Sequence, residues 1–143
     1  MKKQIYYEDI EEGAEVIPLQ KEPDSRQLVM WAGASMDYNP IHYDKDYALK
    51  QGLPGVIVQG QLAGSFLGQM ITDWAGEAGS LKKLSISYKG KNLPGQRLTC
   101  RGMVKKKYVE EGSNLVSLRI WIENPAEEKT LTGMATVRLP SRG

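Results

Sequence analysis

The stretch Gly60-Gln61-Leu62-Ala63-Gly64-Ser65-Phe66-Leu67-Gly68-Gln69-Met70-Ile71-Thr72-Asp73-Trp74-Ala75 decides the architecture of this chain. Leu62, Phe66, Met70 and Trp74 form one i,i+4 row, and Ala63, Leu67, Ile71 and Ala75 form the row beside it. Two adjacent rows make a wide apolar stripe and predict a helix from about Val58 to Ala75. Gly60, Gly64 and Gly68 interrupt it at the same spacing, each costing about 1 kcal/mol relative to alanine in a helix interior. Such a smooth edge is expected where another backbone lies close, so the helix should be enclosed by the rest of the fold.

Beyond Gly79 the apolar period drops to two. Leu84, Ile86 and Tyr88 alternate with Lys83, Ser85, Ser87 and Lys89, the pattern of a half-buried strand. Pro94-Gly95 is read as a turn into a second strand with Leu98, Cys100, Gly102 and Val104 inward and Arg97, Thr99, Arg101, Met103 and Lys105 outward. A hairpin at Glu110 to Asn114 leads to the inward row Val116, Leu118, Ile120 and Ile122, with Trp121 on the outer face as a candidate interface residue. After the turn Asn124 to Glu128, Leu131, Gly133, Ala135, Val137 and Leu139 complete a four-strand meander. One apolar helix followed by antiparallel strands predicts an α+β fold with the sheet curled over the helix.

Upstream, Glu15-Val16-Ile17-Pro18-Leu19 reads as a proline-containing edge strand. Asp24-Ser25 offers a cap for a helix from Arg26 to about Ser35, and Asp44 can cap a short helix through Lys50. At 143 residues with 41% hydrophobic content, a single domain spanning 1–143 with an adequate core is expected. No repeat or linker-like tract divides it.

Composition narrows the chemistry. Cys100 and His42 are the only cysteine and histidine, which removes disulfides within the chain and His/Cys-built metal sites; no metal or cofactor is expected. Cys100 falls on an inward strand position, where a thiol is usually inert. The net charge of +2 gives no reason to expect nucleic acid as partner. No apolar run nears the roughly 20 residues of a membrane span, and Met1-Lys2-Lys3-Gln4 leads into Glu8 and Asp9 without an apolar signal core, so a soluble cytoplasmic protein is expected. Residues 82–107 nevertheless hold nine bases and no acid. A solvated sheet face is the plainer reading of that run, and a surface facing a polyanion the sharper one.

Phosphate-loop and nucleophile-elbow motifs fail. Gly55 and Gly60 have the first spacing but Gln61-Leu62 follows, and Ser65 lacks flanking glycines two residues away. What remains is Ala34-Ser35-Met36-Asp37-Tyr38-Asn39-Pro40-Ile41-His42-Tyr43-Asp44, where the sole histidine follows an aspartate by five residues in a loop stiffened by proline. Two readings stand: a turn in which Asp37 and Asn39 bond backbone amides and His42 sits on the surface, or an acid–base pair converging on one point.

Those residues, with Gly55-Val56-Ile57-Val58-Gln59-Gly60, the opening Asp9 to Gly13 and the strand-rich tail, resemble the MaoC-like family of hot-dog-fold proteins, (R)-specific enoyl-CoA hydratases and 3-hydroxyacyl-thioester dehydratases. The resemblance rests on the D-x-N-P-x-H core of Asp37, Asn39, Pro40 and His42 and on Gly60. It implies a hot-dog fold, and reversible addition of water to trans-2-enoyl thioesters of coenzyme A or acyl carrier protein by Asp37 and His42. It also implies a backbone oxyanion contact at Gly60. Asn39 and Gln59 are expected to support the loop and pocket, Gln59 standing where the family usually has histidine. Tyr38 and Tyr43 are expected as pocket walls or loop packing. A homodimer or higher homo-oligomer is the expected state. The competing class is a non-catalytic hot-dog subunit that binds acyl thioesters for a partner; a thioesterase would need its carboxylate elsewhere.

Overall fold

The computed structural model describes residues 3–143; of the opening segment judged not to be an export signal, Met1 and Lys2 lie outside them. In chain order the elements are β1 (Glu15–Lys21), α1 (Ser25–Ser35), α2 (Lys45–Lys50), α3 (Gly60–Ala75), β2 (Ser80–Tyr88), β3 (Leu98–Glu110), β4 (Ser113–Glu123) and β5 (Lys129–Arg138). The five strands form one antiparallel sheet in the order β1-β3-β4-β5-β2. The sheet encloses α3, which is the hot-dog arrangement.

Both apolar rows of α3 are buried as its periodicity requires: Leu62, Phe66 and Met70 on one, Ala63, Leu67, Ile71 and Ala75 on the other, with Trp74 partly buried. They meet the inward strand positions Leu98, Cys100, Val104, Val116, Leu118, Ile120, Ile122, Leu131, Ala135 and Val137. Burying Leu62, Phe66, Leu67, Met70 and Ile71 contributes about 7 to 15 kcal/mol, against about 3 kcal/mol for the three helix glycines. Packing therefore outweighs propensity. Burial also pushes the Cys100 thiol up to about 12, so it stays a thiol near neutral pH.

The meander reading needs one correction. β2 does not turn into β3; it pairs with β5, with Leu84 opposite Ala135, Ile86 opposite Gly133 and Tyr88 opposite Leu131. Nine residues separate Tyr88 from Leu98, long enough to cross the roughly 15 Å occupied by three interstrand spacings. This connection runs over the end of the sheet. Lys89 N and Gly90 N donate to Thr130 O, Val58 N donates to Asn92 O, and Gly95 N donates to Pro23 O. Pro18 lies in β1, the other edge, where its missing N–H is tolerated.

What fills the glycine edge of α3 also differs from expectation: it receives side chains rather than another backbone. A Cβ at Gly60 would lie 2.9 Å from Tyr88 Cε1, one at Gly64 3.1 Å from Ile86 Cδ1, and one at Gly68 4.0 Å from Leu84 Cδ2. The inward row of β2 thus runs antiparallel down the glycines of α3. Because β2 is an edge strand, this row is only partly covered: Leu84 and Tyr88 are 40% and 55% exposed. Trp121 lies on the helix-free face and is engaged within the chain, its Nε1 donating to Glu123 Oε1 at 2.9 Å beneath Lys129 Nζ. That hydrogen bond, with the Arg101 guanidinium, holds the Glu123 carboxyl below its ordinary range.

The differing clearances predict opposite effects of one substitution. Gly68→Ala gains helix propensity without a clash and should raise stability by about 0.5–1 kcal/mol. Gly60→Ala must displace the Tyr88 ring and should destabilise by about 1 kcal/mol or more. Urea unfolding of the two variants, followed by circular dichroism, checks the difference in sign.

Candidate active site

Asp37 is placed by the end of α1. Asp24 Oδ1 caps that helix by accepting from Gln27 N at 2.8 Å, while Leu28 and Ala32 are buried. Met36, at φ 60°, closes it in the left-handed region and turns the chain outward. Side chains then organise the loop. Ser35 Oγ accepts from Asp37 N at 3.2 Å, Asp37 Oδ1 from Asn39 N at 3.3 Å, and Asn39 Oδ1 from Ile41 N at 3.3 Å. Pro40 starts a 3-10 turn through His42, and His42 N returns a bond to Asn39 O at 3.1 Å. Asn39 thus accepts from two amides of the loop, those of Ile41 and His42. Tyr43 packs in it too, its hydroxyl donating to Tyr38 O at 2.8 Å.

The turn reading holds for Asp37 and Asn39 but fails for His42, which is not a surface residue: it is only 7% exposed. Two bonds clasp it to the strand-like segment before α3. Ile57 N donates to Ile41 O at 3.1 Å, and His42 Nδ1 lies 2.8 Å from Ile57 O. A carbonyl can only accept, so Nδ1 carries the hydrogen and the neutral ring presents the lone pair of Nε2. Nε2 faces Asp37 Oδ2 across 3.8 Å. That gap is too long for a direct hydrogen bond, yet an oxygen atom about 2.8 Å from each can bridge it. The two side chains differ in solvation: His42 is enclosed, whereas the Asp37 side chain is 44% exposed.

The clasp also brings the dyad to the start of α3, since Ile57 precedes Gly60 by three residues. Gln59, at the cap position, is 1% exposed and makes no cap bond to α3. Its Nε2 instead donates to Leu28 O of α1 at 2.8 Å. The first amides of α3 are consequently left without a side-chain acceptor, at the positive end of a sixteen-residue helix. Gly60 is the first residue of α3, and the Tyr88 ring takes the space its missing Cβ leaves. Gln59 Oε1, Trp31 Nε1 and Asn92 Oδ1 are buried without a protein partner among the described residues.

Asp37, Asn39 and His42 share one loop, which Ile57 ties to the segment that runs into Gln59 and Gly60. Sequence reasoning missed the Ile57 carbonyl that sets the His42 tautomer, the Leu28 carbonyl that takes Gln59, and the Tyr88 ring beside Gly60. Both carbonyls are main-chain atoms and leave no side-chain signal; the pairing of Tyr88 with the first helix glycine depends on the register between β2 and α3, which neither periodicity fixes. An apolar cavity of about 460 Å³ lined by Ile5, Leu19, Met70 and Trp74 lies elsewhere, its helical contributors ten or more residues, about 15 Å, along α3 from Gly60.

A curled antiparallel sheet around one helix, with Asp37 and His42 in a loop tied to the segment before that helix, defines a hot-dog protein. The chain belongs to the MaoC like domain family, whose model matches residues 11–122. It is 30% identical over 139 residues to an (R)-specific enoyl-CoA hydratase of Rhodospirillum rubrum, covering 96% of this chain and 94% of that protein. It is 32% identical over 111 residues to a fatty acid synthase subunit beta of Aspergillus oryzae, of whose length it spans only 5%. The structure of R-hydratase PhaJ1 from Pseudomonas aeruginosa superposes with a TM-score of 0.88 at 24% identity, over 97% of this chain and 88% of that one. No helix among the described residues is long and apolar enough to cross a membrane.

The role of Gln59 as a buried donor is testable. Gln59→Glu removes the donor and places a carboxylate against the Leu28 carbonyl, which should cost about 2–3 kcal/mol at pH 8. Such a group has its folded pKa raised, so stability is present at low pH, where the protonated acid can donate, and is lost as pH rises. Unfolding midpoints at pH 5 and pH 8 should differ for this variant far more than for wild type.

Proposed function

We propose that this chain is a hydro-lyase that reversibly hydrates trans-2-enoyl thioesters to (R)-3-hydroxyacyl thioesters, with Asp37 and His42 acting together on one water. The observation that carries this reading is the 3.8 Å separation of His42 Nε2 and Asp37 Oδ2, with Nδ1 committed to Ile57 O. The hydratase relative, matched over nearly its full length, supports the substrate class and the (R) outcome.

In hydration, a water held between the two groups attacks C3 while the dyad takes one of its protons. The C2–C3 π electrons move toward the thioester carbonyl, and its oxygen gains negative charge. The Gly60 N–H and the α3 dipole stabilise that charge. C2 then takes the proton from the dyad, which returns to its starting state; dehydration is the reverse. Which of the two groups holds the proton is a property of the pair, because both bond the same oxygen. The chemistry requires only thioester, water and these groups, and draws on no cofactor. The working unit is proposed as a homodimer, for which the partly covered row Leu84, Ile86 and Tyr88 on edge strand β2 offers an apolar surface.

Purified protein should remove the conjugated-enoyl absorbance of crotonyl-CoA. Asp37→Asn and His42→Ala should each lower kcat by about 100- to 10,000-fold while retaining the wild-type circular dichroism spectrum. A folded wild type inert toward short, long and branched enoyl thioesters would instead point to the non-catalytic binding subunit.

A further inference from the structure

The nine bases between Lys82 and Lys107 sort into three groups once the fold is known. Four are engaged within the chain. Arg97 Nε pairs with Glu22 Oε1 at 2.7 Å and Arg101 Nε with Glu123 Oε2 at 3.0 Å, while Lys106 and Lys107 lie over the rings of Tyr108 and Tyr7. Three others, Lys82, Lys83 and Lys105, sit at least five strand positions from the level of Tyr88 and Cys100, about 17 Å along the sheet. Lys89 and Lys91 remain. They flank Gly90 directly after Tyr88, whose ring touches the position a Gly60 side chain would take.

Their loop is held firmly. Lys89 N and Gly90 N both donate to Thr130 O, at 2.8 and 3.0 Å, and Asn92 O accepts from Val58 N at 2.8 Å, two residues before Gly60. Asn92 is buried, whereas Lys89 and Lys91 are exposed and make no ion pair or ring contact among the described residues. Two uncommitted ammonium groups thus stand on a fixed backbone at the end of the molecule where the thioester would lie.

We propose that Lys89 and Lys91 form a phosphate subsite for the nucleotide end of coenzyme A. This deepens the hydratase reading and rests on it for the position of the thioester. A coenzyme A thioester bound at Gly60 extends a long neutral pantetheine arm away from the site and ends in a diphosphate and a 3′-phosphate. Lysines beyond Tyr88, rather than beside the dyad, are where flexible cations can meet these anions. The pantetheine arm itself carries no charge for them to recognise.

The test is calorimetric titration of coenzyme A and of pantetheine into wild type, the Lys89→Ala/Lys91→Ala protein, and a Lys82→Ala/Lys83→Ala control. The first double variant should weaken coenzyme A binding about tenfold, and the control should stay within about twofold. Pantetheine binding should be equal in all three. Added salt should weaken coenzyme A binding in wild type more than in the Lys89/Lys91 variant. The proposal is overturned by no coenzyme A binding to wild type, by equal loss in the control, or by equal loss for pantetheine. Turnover of crotonyl-pantetheine by wild type reports separately on the dyad. Its absence, with lysine-dependent coenzyme A binding intact, would sink the hydratase reading and leave the subsite standing.

Discussion

The antiparallel contact between the glycine edge of α3 and the inward row of β2 governs much else in this molecule. A helix that exposed Cβ atoms at Gly60 and Gly64 could not receive Tyr88 and Ile86 at their present distances. β2 would then be pushed outward from its place beside β5, and the loop that carries Asn92 to Val58 would move with it. The same contact sets the N-terminus of α3, whose cap residue makes no side-chain bond to it, beside Tyr88 at the end of β2. Burial of the two large apolar rows makes the helix affordable despite its glycines.

The loop from Met36 to Asp44 is a different kind of construction. Short polar side chains shape it by bonding amides two residues ahead, which needs no help from the core. Only His42 passes from this local network into the interior, where Ile57 O holds its Nδ1 and turns Nε2 toward Asp37. A single main-chain acceptor therefore sets the tautomer on which the proposed chemistry depends. Gln59 does something comparable for the other half of the site. By donating to Leu28 O it ties α1, which positions Asp37, to the start of α3, which positions Gly60.

Much of this was legible because the signals are local. Alternation marks β3, β4 and β5 residue by residue, and Asp24 and Asp44 announce the starts of α1 and α2. The D-x-N-P-x-H run contains its own turn chemistry, which left a plain turn and an acid–base pair both open; the resemblance to the MaoC-like family singled out Asp37, Asn39 and His42 together. The misplacement of β2 has an equally local cause: Pro94-Gly95 is a good turn sequence, but turn chemistry does not say which strand waits beyond it. The basic run showed the same limit. Nine like charges looked alike in one dimension and separated only when ion pairs, ring contacts and strand positions were known.

By itself the sequence determined the periods, and with them the helix, the strands and the face each one buries, because periodicity follows from backbone geometry within a few residues. It also determined the loop that bends Asp37 toward His42, since side chain to backbone bonds over two residues close without tertiary help. Strand order, the burial of His42 with its tautomer, and the partner of Gln59 were decided only in three dimensions. Each depends on main-chain carbonyls or edges distant in the chain, and every residue type offers the same carbonyl.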